Sequence, residues 1–214
     1  MKNNPLIEFK NIFLNFGDKI ILKDFNYKIY PKDKIVIIGP SGIGKSTLFH
    51  LILGLKQPQK GKIFIKNKEI TNNNIFSFRS QIAYVDQDVS LGSGKVIDIL
   101  QELFSFKVNQ KIFLDSSSIQ KLFQDFDLET TILNQDINQL SGGERQRLGL
   151  IIALLLKRPI LLLDEISSAL DSNLGSKVIN KILSLKDQTV IMISHGQEWQ
   201  KQKDVKLLTL KKEA

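Results

Sequence analysis

The sequence predicts an α/β fold built on a mostly parallel sheet, and three observations predict it. Strand-like apolar runs alternate with segments of helical period. One of those runs, Lys34-Ile35-Val36-Ile37-Ile38, passes directly into a glycine-rich loop followed by a helical composition. Between Val96 and Leu156 the period turns helical, and strands return afterwards, so a helical lobe is expected inside the sheet-bearing core.

The elements are taken in chain order. Ile7, Phe9, Ile12 and Phe13 precede a turn at Gly17-Asp18, and Phe25, Tyr27 and Ile29 alternate with polar residues as a half-buried strand does. The run Lys34–Ile38 suits a strand buried on both faces, and Lys45–Leu53 suits a helix. Lys62–Lys66 and Ile82–Val85 read as further strands. Ile119, Leu122, Phe123 and Phe126 fall at helical spacing behind a Ser-rich start that can cap the helix. Strands are expected again at Ile160–Leu163, Thr189–Ile193 and Val205–Thr209, with a helix carrying Val178, Ile179, Ile182 and Leu183 between the first two.

The chain has 214 residues, enough for one substantial domain, and 42% apolar residues can bury a core. The absence of cysteine excludes disulfides and thiolate metal sites. The longest apolar stretch, Leu148 to Leu156, is far short of the about 20 residues a membrane span needs, and no signal-peptide core follows Met1. Any transport function is therefore expected to need a membrane partner. The net charge of +8 reads first as a lysine-rich solvated surface and second as attraction to polyanions: nucleotide, nucleic acid or an anionic leaflet.

Gly39-Pro40-Ser41-Gly42-Ile43-Gly44-Lys45-Ser46-Thr47 has the spacing Gly-x4-Gly-Lys-Ser between a predicted strand and a predicted helix. Glycines let backbone N–H groups turn inward around phosphate oxygens, and the helix start adds a favourable dipole. Lys45 can then reach the β- and γ-phosphates and Ser46 can place its hydroxyl on Mg²⁺. The plainer alternative, a glycine turn with a surface lysine, does not account for so many positions in the right context. Ile160-Leu161-Leu162-Leu163 delivers Asp164 and Glu165 at the C-terminal end of a buried strand, where ligands sit in parallel sheets. Asp164 suits the Mg²⁺ shell, and Glu165 suits a general base or a group that orients water.

Leu140-Ser141-Gly142-Gly143-Glu144-Arg145-Gln146-Arg147 resembles the signature of the ABC ATPase family, and the resemblance runs in order from the strands near Phe9 to about Ile193. It implies a P-loop NTPase fold with a mostly parallel central sheet, an N-terminal antiparallel β subdomain and an inserted α-helical subdomain. A single ATPase domain spans 1–214, with 1–87 and 157–214 as nucleotide-binding core and 88–156 as the helical part. It implies ATP and Mg²⁺ as ligands, and two cassettes pairing head to tail around two ATP molecules. Ser141, Gly142 and Gly143 of one copy would contact the γ-phosphate held by Lys45 of the other; locally Ser141 is also an N-cap. Gln87, in Tyr84-Val85-Asp86-Gln87, matches the glutamine that senses Mg²⁺ and the attacking water and joins core to lobe. Ser168-Ala169-Leu170-Asp171 matches the loop that touches the opposite copy, with Asp171 at its end. His195 matches the switch histidine at the γ-phosphate, while His50 reads as structural. Phe16 matches the aromatic that stacks on adenine; Phe13, its rival, fits the strand pattern as core.

The departures from the family are Asp33-Lys34 in place of Gly-Glu, Ile166 in place of proline, and the absence of arginine in Leu150-Ile151-Ile152-Ala153. None removes a chemical group from the site. The implied function is the ATP-hydrolysing subunit of an ABC transporter, on the inner face of the cell membrane, bound to a second cassette and to an integral membrane subunit. The chain resembles small stand-alone cassettes encoded apart from their membrane subunit, some of which are of iron- or metal-export type. No specific nucleic acid partner is expected. The rivals are a soluble ABC ATPase acting on nucleic acid or ribosomes, which one compact cassette argues against, and a subunit that binds nucleotide without hydrolysis.

Overall fold

A computed structural model of the chain describes residues 4–112, 115–166, 172–194, 199 and 202–211. Its strands are β1 (Ile7–Phe16), β2 (Lys19–Ile29), β3 (Lys34–Ile38), β4 (Lys60–Ile65), β5 (Lys68–Glu69), β6 (Ile82–Val85), β7 (Ile160–Asp164), β8 (Thr189–Ile193) and β9 (Lys206–Thr209). Its helices are α1 (Lys45–Ile52), α2 (Ile75–Arg79), α3 (Val96–Ser105), α4 (Ser116–Asp125), α5 (Gly142–Leu155) and α6 (Ser172–Leu183). The strands make two sheets, an antiparallel one in the order β2-β1-β4-β5 and one in the order β6-β7-β8-β3-β9. Every pairing in the second sheet is parallel. α3, α4 and α5 lie in the chain between β6 and β7, as the change of period predicts.

Side-chain alternation divides the parallel sheet between two cores. Ile35 and Ile37 of β3, Ile160 and Leu162 of β7, and Ile191 and Ile193 of β8 face the antiparallel sheet and α1. Val36, Leu161, Leu163, Val190 and Met192 face α5, α6 and the helical segment. β7 and β8 are buried at every position, so their apolar runs carry no polar alternation. α5 is buried from Leu148 to Leu155 on all sides, which suits a helix with no polar stripe.

Three details differ from the sequence reading. Asp115, not a serine, caps α4: its Oδ1 accepts the Ser118 N–H at 2.8 Å. Serines 116–118 begin the helix itself, because a carboxylate at the N-cap also meets the positive end of the helix dipole. Phe13 is not core. Ile7 and Phe9 point inward, but register shifts between Phe9 and Leu14 place Ile12 and Leu14 inward next, and Phe13 outward beside Lys60. The third is α2, a short helix whose sequence, Ile75-Phe76-Ser77-Phe78-Arg79, is too brief for its period to register.

The family departures at Asp33-Lys34 have a structural role. Lys34 is almost fully buried, and its Nζ donates to the carbonyls of Leu185 (2.6 Å) and Gln188 (2.5 Å). Asp33 accepts from the Tyr30 N–H at 2.9 Å and from Lys206 Nζ at 2.6 Å. The two side chains therefore fasten the start of β3 to the segment before β8 and to β9. Burial lowers the Lys34 pKa. Ile166 is also buried, in the core beneath α6. Among the described residues no helix is long and apolar enough to cross a membrane.

Candidate functional site

The site starts where β3 ends. Gly39 to Gly44 turn the chain from β3 into α1, and Gly44 occupies the N-cap with φ 109°. No side chain caps α1, so its first N–H groups point into the loop. A Cβ at Gly44 would stand 2.3 Å from Ile21 Cγ2 of β2, so only glycine permits this approach of loop to hairpin. Lys45 is nearly buried, and its Nζ spans the loop to the carbonyls of Gly39 and Pro40, each at 3.1 Å. Pro40, Ser41 and Gly42 are exposed, Ile43 and Thr47 are buried, and Ser46 is half-buried. The result is a concave loop of backbone donors with a cation at its foot, which is the chemistry of a phosphate cradle.

Asp164 closes the floor. It ends the fully buried β7 and is 2% exposed. The Ser46 hydroxyl lies close enough to its carboxylate to favour the charged form. Asp164 Oδ1 is buried with no hydrogen-bond partner. Burial raises the Asp164 pKa; the Ser46 hydroxyl and His50 oppose the rise, while Glu165 and Asp86 add to it. A buried carboxylate oxygen without a partner, beside a hydroxyl, offers the hard oxygen donors that Mg²⁺ takes. Glu165 follows with φ 49°, and its N–H donates to the Ile193 carbonyl at 3.0 Å. His50 was read as structural; it lies close enough to favour the charged form of Asp164.

Phe16, 43% exposed, stands at the end of β1. Lys56 Nζ lies 3.3 Å from its ring centroid. Lys19, directly opposite Phe16 across the hairpin, donates to the Gly42 carbonyl at 2.9 Å. Lys19 and Lys56 bring two more cations to the loop and the aromatic. Neither was singled out by sequence reasoning; hairpin pairing with Phe16 is the signal that could have found Lys19.

Gln87 lies beyond the end of β6, exposed. Its N–H donates to Asp86 Oδ1 at 2.8 Å, and its carbonyl accepts from Gln146 Nε2 of α5 at 3.5 Å. At Gly149 a Cβ would meet Val89 Cγ1 at 2.9 Å, so the glycine lets the segment after Gln87 lie against α5. Beside that contact runs a groove of about 260 Å³, lined by Tyr84, Asp86, Val89, Leu91, Ile152 and Leu156 among others.

Ser141 is the N-cap of α5. Its Oγ accepts from the Glu144 N–H at 3.3 Å and donates to Glu144 Oε2 at 2.7 Å. The hydroxyl bond, with the Ser141 N–H donating to the same Oε2 at 2.8 Å, holds the Glu144 pKa below the usual carboxylate range. The Ser141 proton is therefore engaged within its own helix, and Gly142 and Gly143 form the first turn inside this capping box. The structure brings Ser46, Asp164, Glu165 and Lys45 to one end of the parallel sheet. Ser141 to Gly143 belong to the inserted helical segment instead. Asp171, the loop from Ser168 that it ends, and His195 lie outside the described residues.

A parallel sheet with a glycine loop after β3, a lysine at the head of α1 and acids at the end of β7, with β8 between the two strands, defines a P-loop NTPase. A family model described as ABC transporter matches residues 22–168. The chain belongs to the ABC transporter family, and in it to the cassettes that bind and hydrolyse ATP. It is 34% identical to the ergothioneine transport ATP-binding protein EgtV of Helicobacter pylori (strain G27), over 96% of this chain and 97% of that protein. It is 31% identical to the probable iron export ATP-binding protein FetA of Escherichia coli (strain K12), over 92% and 88%. Among solved structures it resembles the dimeric, post-hydrolysis cassette MJ0796 bound to ADP and Pi, with TM-score 0.76, 26% identity and coverage of 90% and 89%. These relatives are transporter subunits and do not favour the nucleic-acid or ribosome reading.

Proposed function

We propose that the chain is the ATP-hydrolysing subunit of a membrane transporter, working as a head-to-tail pair of cassettes on an integral membrane subunit. It would sit peripherally on the inner face of the cell membrane. ATP lies with its phosphates in the loop Gly39–Thr47 and its adenine on Phe16. Lys45 swings from the Gly39 and Pro40 carbonyls to the β- and γ-phosphates. Ser46, Asp164 and Gln87 would hold Mg²⁺, which when bound supplies positive charge to the phosphate oxygens. Glu165 accepts a proton from, or orients, the attacking water, and His195 contacts the γ-phosphoryl. Ser141, Gly142 and Gly143 of the second copy close over that phosphoryl, with Asp171 at the seam. The protein's work is positioning and charge stabilisation, since phosphoryl transfer needs little covalent help.

The observation that carries this reading is the contact of the Gln87 loop with α5. A loop bonded to Gln146 and packed on Gly149 passes its movement to the helix that begins at Ser141. The groove beside it is the place for a membrane partner's segment. EgtV and FetA carry names with different cargoes. Cargo is accordingly assigned to the partner subunit, not to this chain.

Complementation tests the pairing. Lys45→Ala and Ser141→Arg are each expected to be inactive alone, and mixing them is expected to restore part of the wild-type phosphate release. One of the two sites in a mixed pair then has an intact Lys45 facing an intact Ser141. No recovery from two folded, nucleotide-binding variants would overturn the head-to-tail pair. Phe16→Ala is expected to raise the Kd for ATP about 5- to 150-fold, the range of one base–aromatic stack, with Phe16→Tyr restoring it. Equilibrium titration with a fluorescent ATP analogue measures this.

A further inference from the structure

The outer face of the antiparallel sheet carries a second, unassigned concentration of positive charge. Lys10 of β1 and Lys62 of β4 are directly opposite one another across the strand pair, an arrangement that costs stability unless an anion compensates it. One pair along, Phe13 opposes Lys60, whose Nζ is 5.9 Å from the Phe13 ring centroid. Lys23 of β2 completes the ring.

These residues line a depression of about 560 Å³, within the size range of small-ligand sites. The register shift that turns Phe13 outward also shapes it, and Asn11 and Asp24 take left-handed backbone at its rim, with φ 52° and 48°. Four lysines face one lining carboxylate, Asp24; Lys62 also pairs with Glu69 at 2.8 Å. Lys10 Nζ instead lies 5.6 Å from the Phe64 ring centroid. The nucleotide site uses none of these lysines.

We propose that this depression binds an anion carrying two or more phosphate groups, separately from the ATP site. Lysines on three adjacent strands suit it, because each is a point charge on a flexible stem that can converge on phosphate oxygens from different directions. The half-buried Phe13 ring forms the floor on which the non-phosphate part rests.

Binding is measured on the whole protein carrying Lys45→Ala, so that the phosphate loop is disabled without adding a second phosphate-bearing ligand. Tripolyphosphate is titrated calorimetrically, and vesicles of cardiolipin, a lipid with two phosphates, in phosphatidylcholine are tested by co-sedimentation. The expected result is salt-sensitive binding that weakens about tenfold or more when Lys10→Gln/Lys60→Gln is added, with ATP turnover unchanged when the same two substitutions are made with Lys45 intact. The variant should melt no lower than the wild type, because it loses a like-charge pair. Vesicle binding lost in the variant, alongside tripolyphosphate binding, identifies a lipid phosphate; tripolyphosphate binding alone identifies a soluble one. No binding, or equal binding with and without the Lys10→Gln/Lys60→Gln substitutions, overturns the proposal. So does affinity for single-stranded RNA that grows with its length, which would mark a nucleic-acid surface instead.

Discussion

Glu165→Gln is expected to lower steady-state phosphate release by about 10²–10⁴-fold, the usual contribution of a positioned general base, while ATP binding persists. The backbone makes this a clean substitution. Glu165 follows a strand with no exposed residue, and its N–H is held by the Ile193 carbonyl at 3.0 Å. Its φ of 49° lies in the left-handed region, an unusual setting for a side chain of this size, and one found where surrounding structure holds an active group. Glutamine keeps the length and shape and removes only the ability to take a proton. The variant should accumulate as an ATP-stabilised dimer, because closure precedes hydrolysis in the proposed cycle. Phosphate release and light scattering in ATP and Mg²⁺ measure the two effects. Wild-type turnover would remove Glu165 from the chemistry, and a strictly monomeric variant would remove the paired cassette.

What could be read from the sequence followed burial. β7 and β8 are fully buried parallel strands and β3 is buried up to Ile38, so their apolar runs announced both the element and its depth, and Thr189–Ile193 was placed to the residue. The loop after β3 was legible because its glycines are required by geometry rather than preference; at Gly44 any side chain would enter Ile21. Phe13 was misread for the opposite reason. A bulge changes which parity faces inward, and period-two counting has no term for an inserted residue. Lys19 and Lys56 were invisible because they act through distance in space: one reaches the loop across a hairpin, the other covers Phe16 from beyond the end of α1. The Ser141–Glu144 capping box was half legible. The N-cap role was read, but not that the hydroxyl proton is given to Glu144 and must be redirected to meet a phosphate.

Asp164→Asn is expected to change stability and activity in opposite directions. The wild-type carboxylate is 2% exposed and one of its oxygens has no partner, so the nucleotide-free protein carries a buried charge that is incompletely solvated. Burial is the main cause of its raised pKa, with Glu165 and Asp86 adding repulsion. A folded pKa above the unfolded one means that the native state binds the extra proton. Stability without ligand is therefore greatest below the unfolded carboxylate value of about 4, and it falls as pH rises towards and through the raised value. Above the raised value the full penalty is present, and asparagine, nearly isosteric but uncharged, removes it. An unsatisfied buried group costs about 1–3 kcal/mol, so the variant should melt a few degrees higher in the absence of nucleotide. The same change removes the anionic ligand proposed for Mg²⁺. Groups one step further from a metal already cost about 10–100-fold in affinity when lost, so a direct ligand costs at least that, and turnover should collapse. Differential scanning calorimetry across pH, with and without Mg²⁺ and ATP, separates the possibilities. Lower stability together with lower activity would make Asp164 a structural residue, and no change in either would detach it from the site. With Mg²⁺ and ATP bound, the cation should pull the Asp164 pKa down and reverse this carboxylate's contribution to the pH slope of wild-type stability. That reversal should be missing in the variant, because no proton remains at residue 164 to be displaced.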